Sequence, residues 1–310
     1  MTAALYLLIY ACALVFLAGC VARALSYARM PLHLRWELYP VPHEEPERVP
    51  HGGSYFEEPE WWAKPLHFNL LGELKVMIPE MLFLKALWEF NRPLWFRSFA
   101  FHFGLYLLIA TAVLLAIAAM VCWLAPASAA VLAALHSLYK VTGLLGAVLA
   151  LAGAAALLVR RVRDRTLRIY TAPGDLMNLA WFIVALGLLL AAHLTRTAPA
   201  PSTLELVRGL LSFDTGLELP TLQVAAVILS ALLVAYIPWT HMSHFIGKYF
   251  TYHSVRWDDL PAAKARQLQR KIAQYLSYRP TWSAAHVMAD GRRSWAEIAM
   301  LNPARQEVKK

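Results

Sequence analysis

The sequence predicts an all-α membrane protein: a five-transmembrane-helix bundle with its N-terminus outside, its C-terminus inside and amphipathic segments on the cytoplasmic side. Two observations support this fold class. The chain of 310 residues is 59% hydrophobic, and it contains five apolar runs, each long enough to supply the roughly 20 residues that a membrane-spanning helix needs. The basic residues gather beside alternate ends of these runs. A multi-pass arrangement explains both observations.

The predicted spans cover residues 3–23, 98–124, 130–159, 175–195 and 221–247. No basic residue precedes the first span, whereas many lie between the first and the second, which puts the N-terminus outside by the positive-inside rule. Among the lysines and arginines, only Lys140, Arg196 and Arg208 then fall on the outer side. The net charge of +9 therefore reflects topology, and we expect no nucleic-acid partner.

The remaining segments are expected in the cytoplasm or between spans. Residues 1–25 form the segment that contains the first span, and residues 26–97 form a cytoplasmic loop whose second half spaces apolar residues like an amphipathic helix. This helix either lies along the inner membrane surface or packs on the chain's own helix ends. Residues 98–247 form a four-helix bundle, with a short outer helix near 204–211. The basic tail, 248–310, contains a predicted helix at 261–277 that either docks a cytoplasmic partner or contacts only lipid headgroups.

The histidines near the membrane sort into two layers by their depth along the spans. His102 in the second span and His241 and His244 in the fifth lie near the inner face, while His136 and His193 lie near the outer face. Ionisable groups at membrane depth are costly, so they mark functional sites by default. The two layers therefore predict two candidate sites, one at each face.

The inner layer predicts a b-type haem, because such a haem takes two neutral imidazoles from separate helices. His102 supplies one ligand, and the spacing does not choose between His241 and His244 for the other. Aromatic residues surround these positions, and Gly104 is expected to leave room for the flat cofactor.

Two basic residues, Arg97 and Lys248, are expected to meet the haem propionates at the inner surface. The three cysteines form no CxxC or CxxCH pattern, so we expect no covalently attached haem and no iron–sulfur cluster within this chain.

Several stretches resemble a known family. FHFG in the second span, LLVRRVR after the third and IPWTHMSHF in the fifth resemble the cytochrome b (gamma) subunit of respiratory nitrate reductase. PLHLRWELYPVPHE, THMSHFIGKYFTYHSVRWDD and the terminal SWAEIAMLNP are more similar to the membrane subunits of heterodisulfide-reductase-like and sulfate-reducer transmembrane redox complexes. The resemblance covers nearly the whole chain. It implies the cytoplasmic membrane of a bacterium or an archaeon.

The resemblance also implies site residues. The inner haem ligands become His102 and His244, the latter six residues after Pro238. The two positions that carry the family's outer haem ligands are Ala112 and Ala226 here, so that haem cannot be built from them.

The outer-layer residues leave two alternatives. His136 and His193 ligate a relocated second haem, or they form a quinone pocket with Lys140, which lies close to a family lysine implicated in quinol binding. The number of haems, one or two, stays open.

The function implied is that of a membrane-bound cytochrome b subunit of a respiratory oxidoreductase. It would carry electrons between the quinone pool and a cytoplasmic iron–sulfur subunit of the heterodisulfide-reductase-like kind. An extracytoplasmic multihaem cytochrome c is a further partner that the sequence leaves open. The chain alone is expected to catalyse no complete reaction. The alternatives are a non-redox membrane anchor and a small transporter without haem.

Overall fold

A computed structural model describes residues 1–29, 70–124, 129–257, 266–282, 287 and 289–301. In these ranges the chain is helical and contains no β-strand. The first part of the predicted cytoplasmic loop, 30–69, lies outside the described residues. The α-helices, in chain order, are α1 (Thr2–Arg29), α2 (Leu70–Phe83), α3 (Lys85–Phe90), α4 (Arg92–Leu124), α5 (Ala129–Arg163), α6 (Arg165–Ile169), α7 (Pro173–Leu194), α8 (Thr203–Ser212), α9 (Thr221–Tyr236), α10 (His244–Trp257), α11 (Arg266–Leu276) and α12 (Trp295–Ala299).

Among the residues that the structure describes, five helical segments are long and apolar enough to cross a membrane: α1, α4, α5, α7 and the stretch Thr221–Trp239 that contains α9. This confirms the predicted number of helices able to span a membrane. The second span begins at Arg92, earlier than predicted, because the Asn91 side chain accepts a hydrogen bond from the Leu94 N–H (3.2 Å) and so caps the helix start. The third span continues to Arg163, where Asp164 caps the next short helix, α6.

The chain divides into two compact units, Met1–Tyr27 with Leu70–Lys248, and Ala28–Asn69 with Tyr249–Lys310. In the first unit α5 packs between α4 and α7, and α7 packs in turn on α9. One buried core, centred on Phe101, Phe182 and Leu233, joins these helices. A second core joins α1 to α8 and α9 at the other end of the bundle, around Tyr6 and Leu206.

Glycines bring α4 and α5 into close contact. A Cβ atom added to Gly104 would lie 2.7 Å from the Gly146 carbonyl oxygen and 2.8 Å from the Ala150 Cα. Gly153 faces the Phe101 backbone in the same way, with 2.6 Å from such a Cβ to the Phe101 Cα. Small residues at contacts of this kind let helix backbones approach in a bilayer. The expectation that Gly104 leaves room for a cofactor is therefore wrong: the space beside it is filled by α5.

The fifth span is interrupted, whereas the sequence predicted one helix over 221–247. α9 ends at Tyr236, and two 3₁₀ turns, Ile237–Trp239 and His241–Ser243, lead into α10. Thr240 between them is extended, with φ −121° and ψ 179°. Pro238 explains the break, because proline has no N–H to donate and its ring clashes with the carbonyl four residues earlier.

The carbonyl groups of residues 237–240, at this break, all find donors. Thr240 donates its hydroxyl to the Ile237 oxygen (3.1 Å), and Ser243 donates its hydroxyl to the Thr240 oxygen (2.8 Å). Arg23 of α1 donates to the Pro238 and Trp239 oxygens, at 3.0 and 3.3 Å. Irregular backbone at membrane depth needs such partners, so α1 holds the interrupted segment in place.

The predicted amphipathic segment is split into α2 and α3 at Leu84, whose φ is 53°. Carbonyl groups at the end of α2 accept hydrogen bonds from α4. Tyr106 donates to the Met81 oxygen (2.9 Å), and the Trp95 indole N–H donates to the Phe83 oxygen (2.7 Å). These contacts favour the alternative in which the segment packs on the chain's own helices.

The second unit contains α11 and α12 among its described residues. α11, Arg266–Leu276, falls within the predicted tail helix at 261–277. Ser294 and Glu297 form a capping box at the start of α12, where the Ser294 hydroxyl accepts from the Glu297 N–H at 3.3 Å. The Trp295 N–H donates to the Tyr278 oxygen (2.9 Å), which links α12 to the turn that follows α11.

Candidate functional site

The end of the bundle where the sequence predicts the inner layer brings two of the predicted histidines together. His102 lies on α4 and His244 is the first residue of α10, and their ring centroids are 6.1 Å apart with the planes inclined at 69°. The break in the fifth span lies between α9 and His244, so His244 belongs to α10. The structure thus brings together one histidine from the predicted second span and one from the predicted fifth span.

Both rings are held by the same kind of hydrogen bond. The His102 Nδ1 lies 2.7 Å from the Ser98 carbonyl oxygen, and the His244 Nδ1 lies 3.2 Å from the His241 carbonyl oxygen. A carbonyl only accepts, so Nδ1 carries the proton in each ring. In a neutral imidazole the other nitrogen, Nε2, then has a free lone pair, which is the state that a metal ligand requires.

The separation of the rings fits a shared metal centre. Two metal–imidazole bonds of about 2 Å each, with about 1 Å more from each nitrogen to its ring centre, place the ring centres about 6 Å apart. The observed centroid distance is 6.1 Å.

His241 lies in a different environment. Its Nε2 is 3.6 Å from the Asp175 Oδ1, and its side chain is 60% exposed. Asp175, at the start of α7, also pairs with Arg161 (3.2 Å) and accepts a hydrogen bond from the Ala172 N–H (3.1 Å). His241 therefore contributes its backbone carbonyl to the His244 ring, and its own ring lies beside the Arg161–Asp175 ion pair.

The aromatic residues predicted near His102 occupy two sides of it. Phe101 contacts the His102 ring edge-on (5.4 Å between centroids) and packs against Phe182 at 5.0 Å. Phe99 stacks on Trp95 at 4.5 Å and on Phe103 at 5.3 Å, along a neighbouring face of α4. Phe101 thus gives the His102 ring an apolar neighbour, whereas Phe99 and Phe103 pack with Trp95.

The two basic residues predicted for the propionates have other partners. Lys248 forms an ion pair with Glu80 of α2 at 3.3 Å. Arg97 donates to the Pro93 carbonyl of its own helix at 2.8 Å and lines a hollow against α5. Five residues along an α-helix correspond to a rotation of about 140°, so Arg97 lies on a different face of α4 from His102. We therefore do not include Arg97 in the proposed histidine site.

The three residues of the predicted outer layer line one pocket. His136 and Lys140 of α5 and His193 of α7 all line one cavity of about 190 Å³ between α4, α5, α7 and the start of α8. Its remaining walls combine apolar side chains with a few polar ones. The structure thus brings together the three residues that the sequence grouped at the outer face.

The sequence did not point to the five other polar residues of this pocket: Thr111, Tyr139, Arg196, Ser202 and Thr203. The Tyr139 hydroxyl is 2.6 Å from the His136 Nδ1, and the Thr111 hydroxyl is 2.8 Å from that of Thr142 across the α4–α5 contact. The sequence could have predicted Tyr139 as a pocket residue, because it lies three residues after His136 and so lies on the same face of the helix. Asp175 at the inner end was missed as well.

Comparison of the chain with protein-family models, with curated proteins and with solved structures finds no match. Among the described residues no group of three or more His, Cys, Asp or Glu side chains is arranged for a metal ion. A haem held by two histidines needs no such group, because the macrocycle provides the other four ligands of the iron.

Proposed function

We propose that this chain is the haem b-carrying membrane subunit of a multi-subunit, quinone-linked oxidoreductase. The observation that carries the proposal is the His102–His244 pair: two rings 6.1 Å apart on separate helices, each with Nδ1 bonded to a backbone carbonyl. A cytoplasmic iron–sulfur subunit is the electron-transfer partner in this proposal, as the resemblance implies. The membrane in which it works is the cytoplasmic one.

When bound, the haem supplies a one-electron redox centre near the inner face. The chain's own residues hold and orient it. Ser98 and His241 fix the ring orientations through their carbonyls and make the Nε2 atoms better donors. The apolar core around Phe101 and Phe182 lowers the local dielectric, and the Arg161–Asp175–His241 network ties α5, α7 and the ligand-bearing segment together.

The outer pocket is the proposed quinone site. Lys140, His136 and His193 present hydrogen-bonding groups that can contact the ring oxygens of a quinone and exchange protons with the outer water layer. Along α4, nine residues separate His102 from Thr111 of this pocket, which is about 14 Å of helix. The proposed haem site and the proposed quinone site therefore lie in the same helix bundle.

The haem content of the purified chain tests the central proposal. Expression with ample haem should give a red protein with about one haem per chain, measured by a pyridine haemochrome spectrum and quantitative amino-acid analysis. A ratio near two would assign His136 and His193 to a second haem and remove the quinone assignment. A colourless, folded protein would contradict the redox function and return the chain to the class of anchors or transporters.

The quinone assignment makes a separate prediction. The double variant Lys140→Gln and His193→Leu should bind a short-chain naphthoquinone at least roughly tenfold more weakly, because each lost hydrogen bond to a charged or polar group is worth about 1–2 kcal/mol. Quenching of intrinsic fluorescence measures the binding without using the haem.

Arg208→Gln serves as the matched control for this variant. Arg208 is a basic residue of α8 on the same outer side, and it does not line the pocket. Equal affinity in the double variant and the unmodified chain would show that the naphthoquinone binds elsewhere.

A further inference from the structure

Three arginines converge on a second hollow at the inner end of the bundle. Arg97 comes from α4, and Arg160 and Arg163 come from the last turn of α5. Together with Ala156, Val159 and Asp164 they line a cavity of about 340 Å³. This hollow is separate from the histidine pair, because Arg97 lies on the α5 side of α4.

The side chains that line this hollow carry more positive than negative charge. Within the described part of the chain, Arg160 and Arg163 form no ion pair, whereas the intervening Arg161 pairs with Asp175. The Asp164 Oδ1 already accepts three hydrogen bonds, from the Thr166 hydroxyl (2.6 Å), the Thr166 N–H (3.0 Å) and the Leu167 N–H (3.3 Å). These bonds, the hydroxyl of Thr166 first, lower the pKa of the Asp164 carboxyl. It therefore stays ionised at neutral pH, and three guanidinium groups face one carboxylate.

We propose that this hollow binds the phosphate headgroup of an anionic phospholipid from the inner leaflet. Guanidinium groups present planar arrays of N–H donors that match phosphate oxygens, and several of them approaching from two helices fix one phosphate in place. Basic pockets between transmembrane helices on the cytoplasmic side are a recognised setting for such headgroups. Ala156 and Val159 provide an apolar wall, with Val159 47% exposed, where the first carbons of the acyl chains can lie.

Positive charge on the inner side is common to membrane proteins and does not by itself make a site. The difference here is convergence. Arg165 and Arg168 of α6 are exposed, belong to the same basic segment, and do not line the hollow. These two residues give a control that removes equal charge from the same surface.

The experiment uses the full-length chain in a neutral detergent, titrated with phosphatidylglycerol and followed by native mass spectrometry. The double variant Arg160→Gln and Arg163→Gln should bind the lipid at least roughly tenfold more weakly, since each basic residue near a membrane surface contributes about 1 kcal/mol. Arg165→Gln with Arg168→Gln should bind like the unmodified chain. Phosphatidylcholine should bind to none of them with comparable affinity.

Arg97→Gln is a second arm that leaves α5 intact and should weaken the binding several-fold. Equal losses in the two double variants, or unchanged affinity in both pocket variants, would overturn the proposal.

A further arm replaces the lipid by inorganic phosphate at the same concentration and measures thermal unfolding. Stabilisation equal to that by phosphatidylglycerol would assign the hollow to soluble phosphate. The haem content of each sample is recorded separately, because the lipid proposal does not depend on the redox function.

Discussion

Replacing either His102 or His244 by alanine should remove the haem from the purified protein. Each variant keeps only one of the two histidines that would hold the haem in the proposed function. The Soret band should therefore fall to a small fraction of its original intensity, because a haem bound by two imidazoles needs both. Pyridine haemochrome analysis gives the haem remaining per chain. This is the largest effect that we expect from any single substitution in the inner site.

His241→Ala is the matched control for these variants. His241 precedes His244 by three residues, yet its ring faces Asp175 and only its backbone carbonyl reaches the His244 ring. We expect it to keep nearly full haem content. Added imidazole should restore part of the spectrum in His244→Ala, because the free base can enter the vacated ligand position. A His241→Ala variant that loses haem while His244→Ala retains it would reverse the ligand assignment.

Gly104→Ala should strongly destabilise the bundle. The added methyl group would meet the Gly146 oxygen at 2.7 Å and the Ala150 Cα at 2.8 Å, and these are backbone atoms that cannot rotate away. Overpacking of this kind costs about 1–3 kcal/mol and sometimes more, and α4 and α5 would have to separate to relieve it. Denaturant-induced unfolding in detergent, followed by circular dichroism, measures the loss.

Gly187→Ala on α7 supplies the comparison, because a Cβ atom added there meets nothing within 4 Å. We expect its stability to stay within about 0.5 kcal/mol of the unmodified chain. If the two variants unfold alike, the close α4–α5 contact is not a determinant of stability.

The spans and the two histidine layers could be predicted from the sequence because both depend on position along one helix. Apolar length identifies a span, and a rise of 1.5 Å per residue converts sequence distance into depth. His136, Lys140 and His193 were grouped at the outer face by this reasoning, and they line one pocket.

Features that depend on the direction of a side chain around its helix could not be found in this way. Depth gave no choice between His241 and His244, since the answer depends on the extended residue Thr240 and on the partner Asp175 from another helix. Depth also suggested that Arg97 and Gly104 serve the cofactor, whereas both face α5. Knowing which helices are neighbours would have resolved these cases.

The contact between Arg23 and the interrupted fifth span bears on the order of biosynthesis. Arg23 belongs to α1, while the Pro238 carbonyl that it binds lies 215 residues later in the sequence, in the fifth span, next to the Trp239 carbonyl that it also binds. Gly19 of the same helix lies against Pro238, since a Cβ atom added there would be 2.8 Å from the Pro238 Cβ. The segment that carries His244 is thus held in place only when α1 contacts the fifth span. The His102–His244 pair would accordingly form only after α10 is synthesised, and a nascent chain that ends before α9 would contain His102 without its counterpart.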